Sequence, residues 1–267
     1  MDAFLAILIA VVTVTVLGIL IGTALVAASN KYHVETDPRE EKVRNNLPGN
    51  NCGACGFAGC DAVAAAIAAG KAPADACPIC SQEALDKISE VMGVAAKEVI
   101  PMEAYVHCAG TCGHVSQKIN YVGIQDCRAA VLSGISIWEC DYGCVGLGTC
   151  VKECPYNAIS VKDGVAIVNS KRCVGCGKCA AVCPKGLISL ERKDKKVAVR
   201  CSNPNKGTAV KNVCSVGCLG CSICTKKCPT GAIYMNGNTP MINYSKCIGC
   251  GTCADVCPRG IINRFDN

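Results

Sequence analysis

Aromatic side chains are scarce in this chain, which has 3 Phe, 7 Tyr and 1 Trp among 267 residues, and there are only 3 His. Conventional domains rely on such large side chains to fill a core, so several small units stabilised by something else are expected. The same scarcity removes the stacking platforms that single-stranded nucleic acid needs, although the formal net charge is +6. No Ser, His and Asp catalytic set is evident. The nicotinamide fingerprint is also missing, because Gly146-Leu-Gly148 meets Val151 where a third glycine belongs. Residues 3–28 hold no charge, and Thr13, Thr15 and Thr23 are their only polar side chains.

That apolar run predicts a helix about 39 Å long, longer than the roughly 30 Å hydrocarbon core of a bilayer. A signal peptide would want a basic leader and a shorter run, yet only Asp2 precedes this one. Lys31, Arg39, Lys42 and Arg44 follow it, which places the remainder of the chain on the cytoplasmic side of the cell membrane. Gly18 and Gly22, beside Thr15, could dock another membrane helix. The span has no ionisable group and so offers no ion pathway of its own.

What the chain does have is cysteine, 26 in all. Shifted by 74 residues, Cys127, Cys140, Cys144, Cys150, Cys154, Cys173, Cys176, Cys179 and Cys183 fall on Cys201, Cys214, Cys218, Cys224, Cys228, Cys247, Cys250, Cys253 and Cys257. Each copy ends in C-x2-C-x2-C-x3-C-P, the spacing that aims three thiolates at one [4Fe–4S] cube and the fourth at its neighbour. Disulfides fit a crowded triplet poorly. Zinc prefers two separated pairs and remains the alternative metal. Iron-bound thiolates must be kept from oxidants, which again favours the cytoplasm. With five cubes, each adding about −2, the loaded protein would be mildly acidic at about −4.

A different site precedes the duplication: Cys52, Cys55, Cys60 and Cys77, spaced C-x2-C-x4-C-x16-C. The predicted fold is α+β: an N-terminal transmembrane helix, a small α-rich [4Fe–4S] domain and two bacterial-ferredoxin-type 2[4Fe–4S] modules. Boundaries are placed at 1–30 for the helix, 31–46 for a polar linker beginning near His33, and 47–100 for the first cluster domain. A connecting segment, 101–139, leads to module 1 at 140–192, a basic connector at 193–213 and module 2 at 214–267. Helices are expected over 61–69, closed by Gly70, and from a Ser81 cap through Val91 to Gly93. Hairpins pair 158–161 with 165–168 and 232–235 with 241–244. Short helices should carry each ligand run to its proline.

In module 2 the expected sets are Cys218, Cys221, Cys224 with Cys257, and Cys247, Cys250, Cys253 with Cys228. Module 1 has Leu147 where module 2 has Cys221. Its first set therefore needs another thiol, and Cys140 is nearest in sequence, giving Cys140, Cys144, Cys150 and Cys183; a three-iron cluster is the alternative. Its second set is Cys154, Cys173, Cys176 and Cys179. Cys108 and Cys112, with two of Cys127, Cys201 and Cys214, could hold a sixth cluster, or all could be free buried thiols. Cys80 is read as a plain thiol. His107 and His114 flank Cys108 and Cys112 as solvated or hydrogen-bonded imidazoles, with a Rieske-type pair as the other possibility. Gly53, Gly56, Gly175, Gly177, Gly249 and Gly251 are candidate N–H donors to sulfur. Lys185, Arg192, Lys193, Lys195, Lys196 and Arg200 form a basic stretch that is either a solvated face or a dock for an acidic redox partner.

An uncharged span, then Cys52-Gly-Ala-Cys55-Gly-Phe-Ala-Gly-Cys60 with Cys77-Pro78, then Cys144-Val-Gly-Leu-Gly-Thr-Cys150-Val-Lys-Glu-Cys154-Pro, resembles the B subunit of Rnf complexes over essentially the whole chain. The resemblance implies a membrane ferredoxin:NAD+ oxidoreductase coupled to Na+ or H+ translocation, in which this subunit takes electrons from reduced ferredoxin. It implies membrane subunits A, D, E and G and an NAD-binding C subunit as partners, membrane lipid around residues 3–28, and no nucleic acid. A relay subunit of another membrane redox complex, of hydrogenase or bifurcating type, is the competing expectation.

Overall fold

The computed structural model describes residues 2–31 and 37–265. Helix α1 (Asp2–Lys31) stands apart, and its described apolar side chains, Leu17 and Leu20 among them, are exposed. Of the described residues only Ile7–Ala28 is long and apolar enough to cross a membrane. His33 lies outside the described residues.

Part of the expected linker is helical: α2 (Pro38–Asn46) starts on Asp37, whose carboxylate accepts the Arg39 N–H at 2.9 Å, with Pro38 in the first turn. An N-cap acid followed by proline is a strong start signal that the polar composition obscured. α2 packs on α3 (Cys60–Ala68) and α4 (Gln82–Met92), burying Val43 with Val63, Ile67 and Ile88. α4 opens on Ser81, which accepts the Ala84 N–H at 3.2 Å, and closes on Gly93 at φ +66, as its sequence predicts.

Strand β1 (Met102–Val106) and helix α5 (Cys127–Leu132) come from the expected connecting segment, yet both are built into module 1. The module continues with α6 (Thr149–Lys152), β2 (Ile159–Lys162), β3 (Val165–Val168), α7 (Lys178–Ala181) and β4 (Ile188–Arg192). β2 and β3 form the expected hairpin on Asp163 and Gly164, both at positive φ. β1 pairs antiparallel with β4, an unforeseen long-range addition.

Module 2 repeats the plan with β5 (Val197–Val199), α8 (Thr208–Val213), α9 (Ile223–Lys227), β6 (Ile233–Asn236), β7 (Thr239–Ile242), α10 (Thr252–Asp255) and β8 (Ile262–Arg264). β7 begins two residues before the expected strand, because Gly237 and Asn238 close a two-residue turn between Asn236 and Thr239. β5 pairs with β8. The four two-stranded sheets and their short helices enclose two cores in which cysteines sit beside small aliphatics.

The basic connector is not a free loop. Lys195 is buried, its side chain 1% exposed, and it pairs with the 9% exposed Glu103 of β1. Its ammonium also lies 5.2 Å from the ring centres of Tyr105 and Phe265. Arg192 is held by Asp194 at 2.6 Å. Lys195 thus belongs to the seam between modules and cannot dock a partner. One cation in the run is recruited by an acid 92 positions away, which local charge counting does not reveal.

Candidate iron–sulfur sites

In the first domain, Cys60 opens α3 and donates its N–H to Asn51 Oδ1 at 2.8 Å. Gly53 and Gly56 turn the preceding loop at φ +71 and +83. Cys55 and Cys77 pack against buried Cys60 and Cys80. A hydrogen bond from Cys80 brings the Cys77 thiol down to about 6 and pushes Cys80 well up. Cys80 is therefore a direct neighbour of the expected ligand Cys77, as their C-x2-C spacing permits, although Cys80 is read from the sequence as a plain thiol. Cys52 faces module 1: half-buried Tyr156 stands in the field of Cys52, Cys176 and Cys77.

Cys173, Cys176 and Cys154 all act on Cys179, which burial and then these neighbours raise to about 11. These four are the expected second set of module 1. In module 2, Cys218, Cys221, Cys224 and Cys257 line one cavity of ≈ 350 Å³, and Cys228, Cys247, Cys250 and Cys253 line another of ≈ 320 Å³. Both correspond to the crossover sets that the spacing predicts.

The first site of module 1 differs. Its cavity, ≈ 370 Å³, is lined by Cys144, Cys150, Cys183 and Cys127, not by Cys140. Cys127 opens α5, where Asp126 caps the helix by accepting from Arg128 and Ala129, and the Cys127 N–H is held by Thr149 Oγ1 at 2.7 Å. The fourth thiol around this cavity thus comes from 20 residues upstream of Leu147. Sequence proximity favours Cys140, which instead lines a different cavity together with Cys108, Cys201 and Cys214. Cys112, expected beside Cys108, is exposed.

Thiols here ring cavities instead of meeting at a point. Tetrahedral zinc would need sulfurs about 3.8 Å apart, from Zn–S bonds of about 2.3 Å. Among the described residues no three His, Cys, Asp or Glu groups converge closely enough for a single ion. A cuboidal cluster is the group that four separated thiols around an apolar cavity fit.

Burial raises Cys144, Cys218 and Cys224 to about 11 and Cys150 to about 12, so these thiolates are costly without cationic iron beside them. Backbone N–H groups offset part of that cost: Ala104 donates to Cys173 at 3.3 Å, Ala158 to Cys154 and Leu187 to Cys183 at 3.4 Å, and Gly220 to Cys218 at 3.5 Å. Of the six glycines expected as donors, none supplies one of these bonds. Their φ values, +71 to +83, show that they bend the ligand loops instead. At Gly175 a Cβ would fall 2.6 Å from the Met102 carbonyl, so glycine also lets β1 approach. His107 is held at both nitrogens, by the Val199 carbonyl at 2.8 Å and Ser189 Oγ at 2.6 Å, and His114 Nδ1 meets Ser215 Oγ at 2.8 Å. Neither ring is arranged as an iron ligand.

The chain matches the family described as a putative Fe-S cluster over residues 47–79. Two families described as 4Fe-4S dicluster domain match residues 138–188 and 217–262, and residues 172–232. Among curated proteins, it is 39% identical over 242 residues to the B subunit of the Na(+)-translocating ferredoxin:NAD(+) oxidoreductase complex of Acetobacterium woodii, covering 90% of this chain and 73% of that one. It is 42% identical over 202 residues to the B subunit of the ion-translocating oxidoreductase complex of Methanosarcina acetivorans, covering 75% and 76%. With the B subunit of the proton-translocating ferredoxin:NAD(+) oxidoreductase complex of Clostridium ljungdahlii it shares 40% over 236 residues, covering 88% and 83%. Ferredoxin-type cysteine sites, an apolar N-terminal helix and this likeness along most of the chain make it a member of the family of B subunits of Rnf-type, ion-translocating oxidoreductases.

Proposed function

We propose that this chain is the electron-entry and relay subunit of an ion-translocating ferredoxin:NAD+ oxidoreductase, accepting electrons from reduced ferredoxin and passing them to membrane subunits A, D, E and G and the NAD-binding C subunit. Five [4Fe–4S] groups would be held by Cys52, Cys55, Cys60, Cys77; by Cys154, Cys173, Cys176, Cys179; by Cys127, Cys144, Cys150, Cys183; by Cys218, Cys221, Cys224, Cys257; and by Cys228, Cys247, Cys250, Cys253. Each such group, when bound, supplies a site that gains and loses one electron with little rearrangement.

The observation that carries this reading is that successive thiol sets are neighbours. Cys52 acts on Cys176 across the first domain and module 1. Cys179 acts on Cys150 between the two sites of module 1, and one core of module 2 holds Cys218 and Cys224 of one set with Cys253 of the other. N–H donors and burial set how readily each sulfur bears charge. The helix at residues 7–28 would anchor the row beside the bilayer, with the cysteine-bearing part on the cytoplasmic side. The relatives named above carry Na(+)- and proton-translocating designations at 39% and 40% identity, and the span of this chain has no ionisable side chain, so ion choice is assigned to partner subunits.

Anaerobic isolation tests the proposal. At least about 20 Fe with equal acid-labile sulfide per chain, bleaching by reduced ferredoxin, and co-purification with the membrane subunits are expected. Colourless protein, zinc without sulfide, or co-purification with hydrogenase subunits instead would refute it.

A further inference from the structure

The structural repeat departs from the 74-residue sequence repeat at one place. By sequence, Cys127 falls on Cys201. The strands pair Val106 with Ile188 and Val199 with Ile262. Ile188 and Ile262 are 74 apart, so Val106 and Val199 are equivalent, and two residues on so are Cys108 and Cys201. Hydrogen bonds repeat in the same way: His107 N–H donates to the Leu187 carbonyl at 2.8 Å, and Arg200 N–H to that of Ile261 at 2.7 Å. Cys144 N–H donates to Cys108 Sγ at 3.5 Å, and Cys218 N–H to Cys201 Sγ at 3.4 Å. Cys140 and Cys214 stay equivalent, each accepting at its carbonyl from Gly143 or Gly217, at 3.2 and 3.3 Å.

Each module therefore offers two corresponding thiols, one two residues past its added strand and one four residues before the first cysteine of its ferredoxin run. All four line a single cavity of ≈ 440 Å³, comparable with the ≈ 370, 350 and 320 Å³ of the ferredoxin sites. We infer that Cys108 and Cys140 of module 1 and Cys201 and Cys214 of module 2 hold a sixth [4Fe–4S] cluster shared between the modules. This rests on the iron–sulfur reading above and extends it to thiols that no ferredoxin spacing claims.

The surroundings suit an anionic, sulfur-bound group. Asn203 Nδ2 donates to Cys140 Sγ at 3.5 Å. Arg200 and Arg259 hold the carbonyls of Cys108 and Cys214 at 3.2 and 2.7 Å, keeping two guanidinium charges next to the ligand loops. A Cβ at Gly110 would fall 2.8 Å from Val115 Cγ2 and 3.5 Å from Cys214 Sγ, so glycine permits the close approach of that loop. Position supports the same conclusion. Cys144 lines this cavity and the adjoining site of module 1, while Cys218, a ligand in module 2, binds Cys201 through its N–H. A cluster here joins two modules that would otherwise each end in a separate pair.

Cysteine arithmetic makes the test decisive. Twenty of the 26 cysteines belong to the five sets, leaving Cys80, Cys108, Cys112, Cys140, Cys201 and Cys214. Iron, sulfide and native mass are measured on the full anaerobically purified chain. The wild type should hold about 24 Fe and 24 sulfide, and Cys108→Ala/Cys214→Ala about 20 of each, with one cluster mass lost. A wild type at about 20 Fe, or a double variant equal to the wild type, overturns the shared site while leaving the relay intact. If the variant does not accumulate, the wild-type count alone decides, since 24 Fe needs four of those six thiols. Wild-type protein with no sulfide would instead overturn the relay reading itself.

Discussion

Replacing Lys195 with Met should loosen the seam between the two modules far more than a surface lysine would. The ammonium is 1% exposed, pairs with Glu103 at 9%, and lies 5.2 Å from two aromatic rings. Removing one partner of a buried pair costs about 3–5 kcal/mol, because the remaining carboxylate is buried without compensation, and the lost cation–π contacts are included in that sum. Glu103 makes this worse, since its Oε2 already has no hydrogen-bond partner. The flanking bonds report the opening: Lys193 N–H to the Pro101 carbonyl at 2.8 Å and Phe265 N–H to that of Lys196 at 2.9 Å. At about 1.4 kcal/mol per factor of ten, hydrogen exchange at Lys193, Phe265 and the β1–β4 amides should accelerate about 10²- to 10³-fold or more in anaerobic holoprotein. The companion Lys195→Met/Glu103→Leu should recover most of the protection, because no charge is then left buried. Raising salt should change little, as the pair is hardly screened. Unchanged exchange in Lys195→Met, or a double variant no better than the single, would refute the buried-pair account and restore a solvated connector.

Cys127→Ala should remove about four Fe from module 1, and adding Leu147→Cys, which restores the thiol that module 2 has at Cys221, should recover them; iron content unaffected by Cys127→Ala would return the ligand role to Cys140. Gly146, at φ +84 with its would-be Cβ 2.7 Å from the Gly164 carbonyl, should tolerate alanine badly, at a cost of about 1–3 kcal/mol in strain, visible as faster cluster bleaching on warming; wild-type bleaching rates would show that the turn can shift. In native holoprotein, iodoacetamide should label exposed Cys112 first, whereas equally exposed Cys221 and Cys250 should stay protected until iron is chelated. Early labelling of Cys221 would contradict its ligand role.

The sequence determined most of the chemistry. Spacing within ferredoxin runs is a local signal, and the sets it predicts on Cys218 and Cys247, with Cys257 and Cys228 as crossing partners, each line one cavity in the structure. Local capping likewise announced α4 through Ser81 and Gly93, and the uncharged run announced α1. Tertiary structure decided whatever depended on contacts between distant segments. It brought Cys127 from α5 to the cavity of Cys144, Cys150 and Cys183, where the nearest spare thiol in sequence was Cys140, and it added β1 to β4 and β5 to β8, bringing Cys108 and Cys201 to one cavity. It also buried Lys195 against Glu103 in a run that by composition is a solvated face. A thiol or a charge carries no record in its own neighbourhood of which remote strand it will meet; that is fixed only when β pairing folds the chain back on itself.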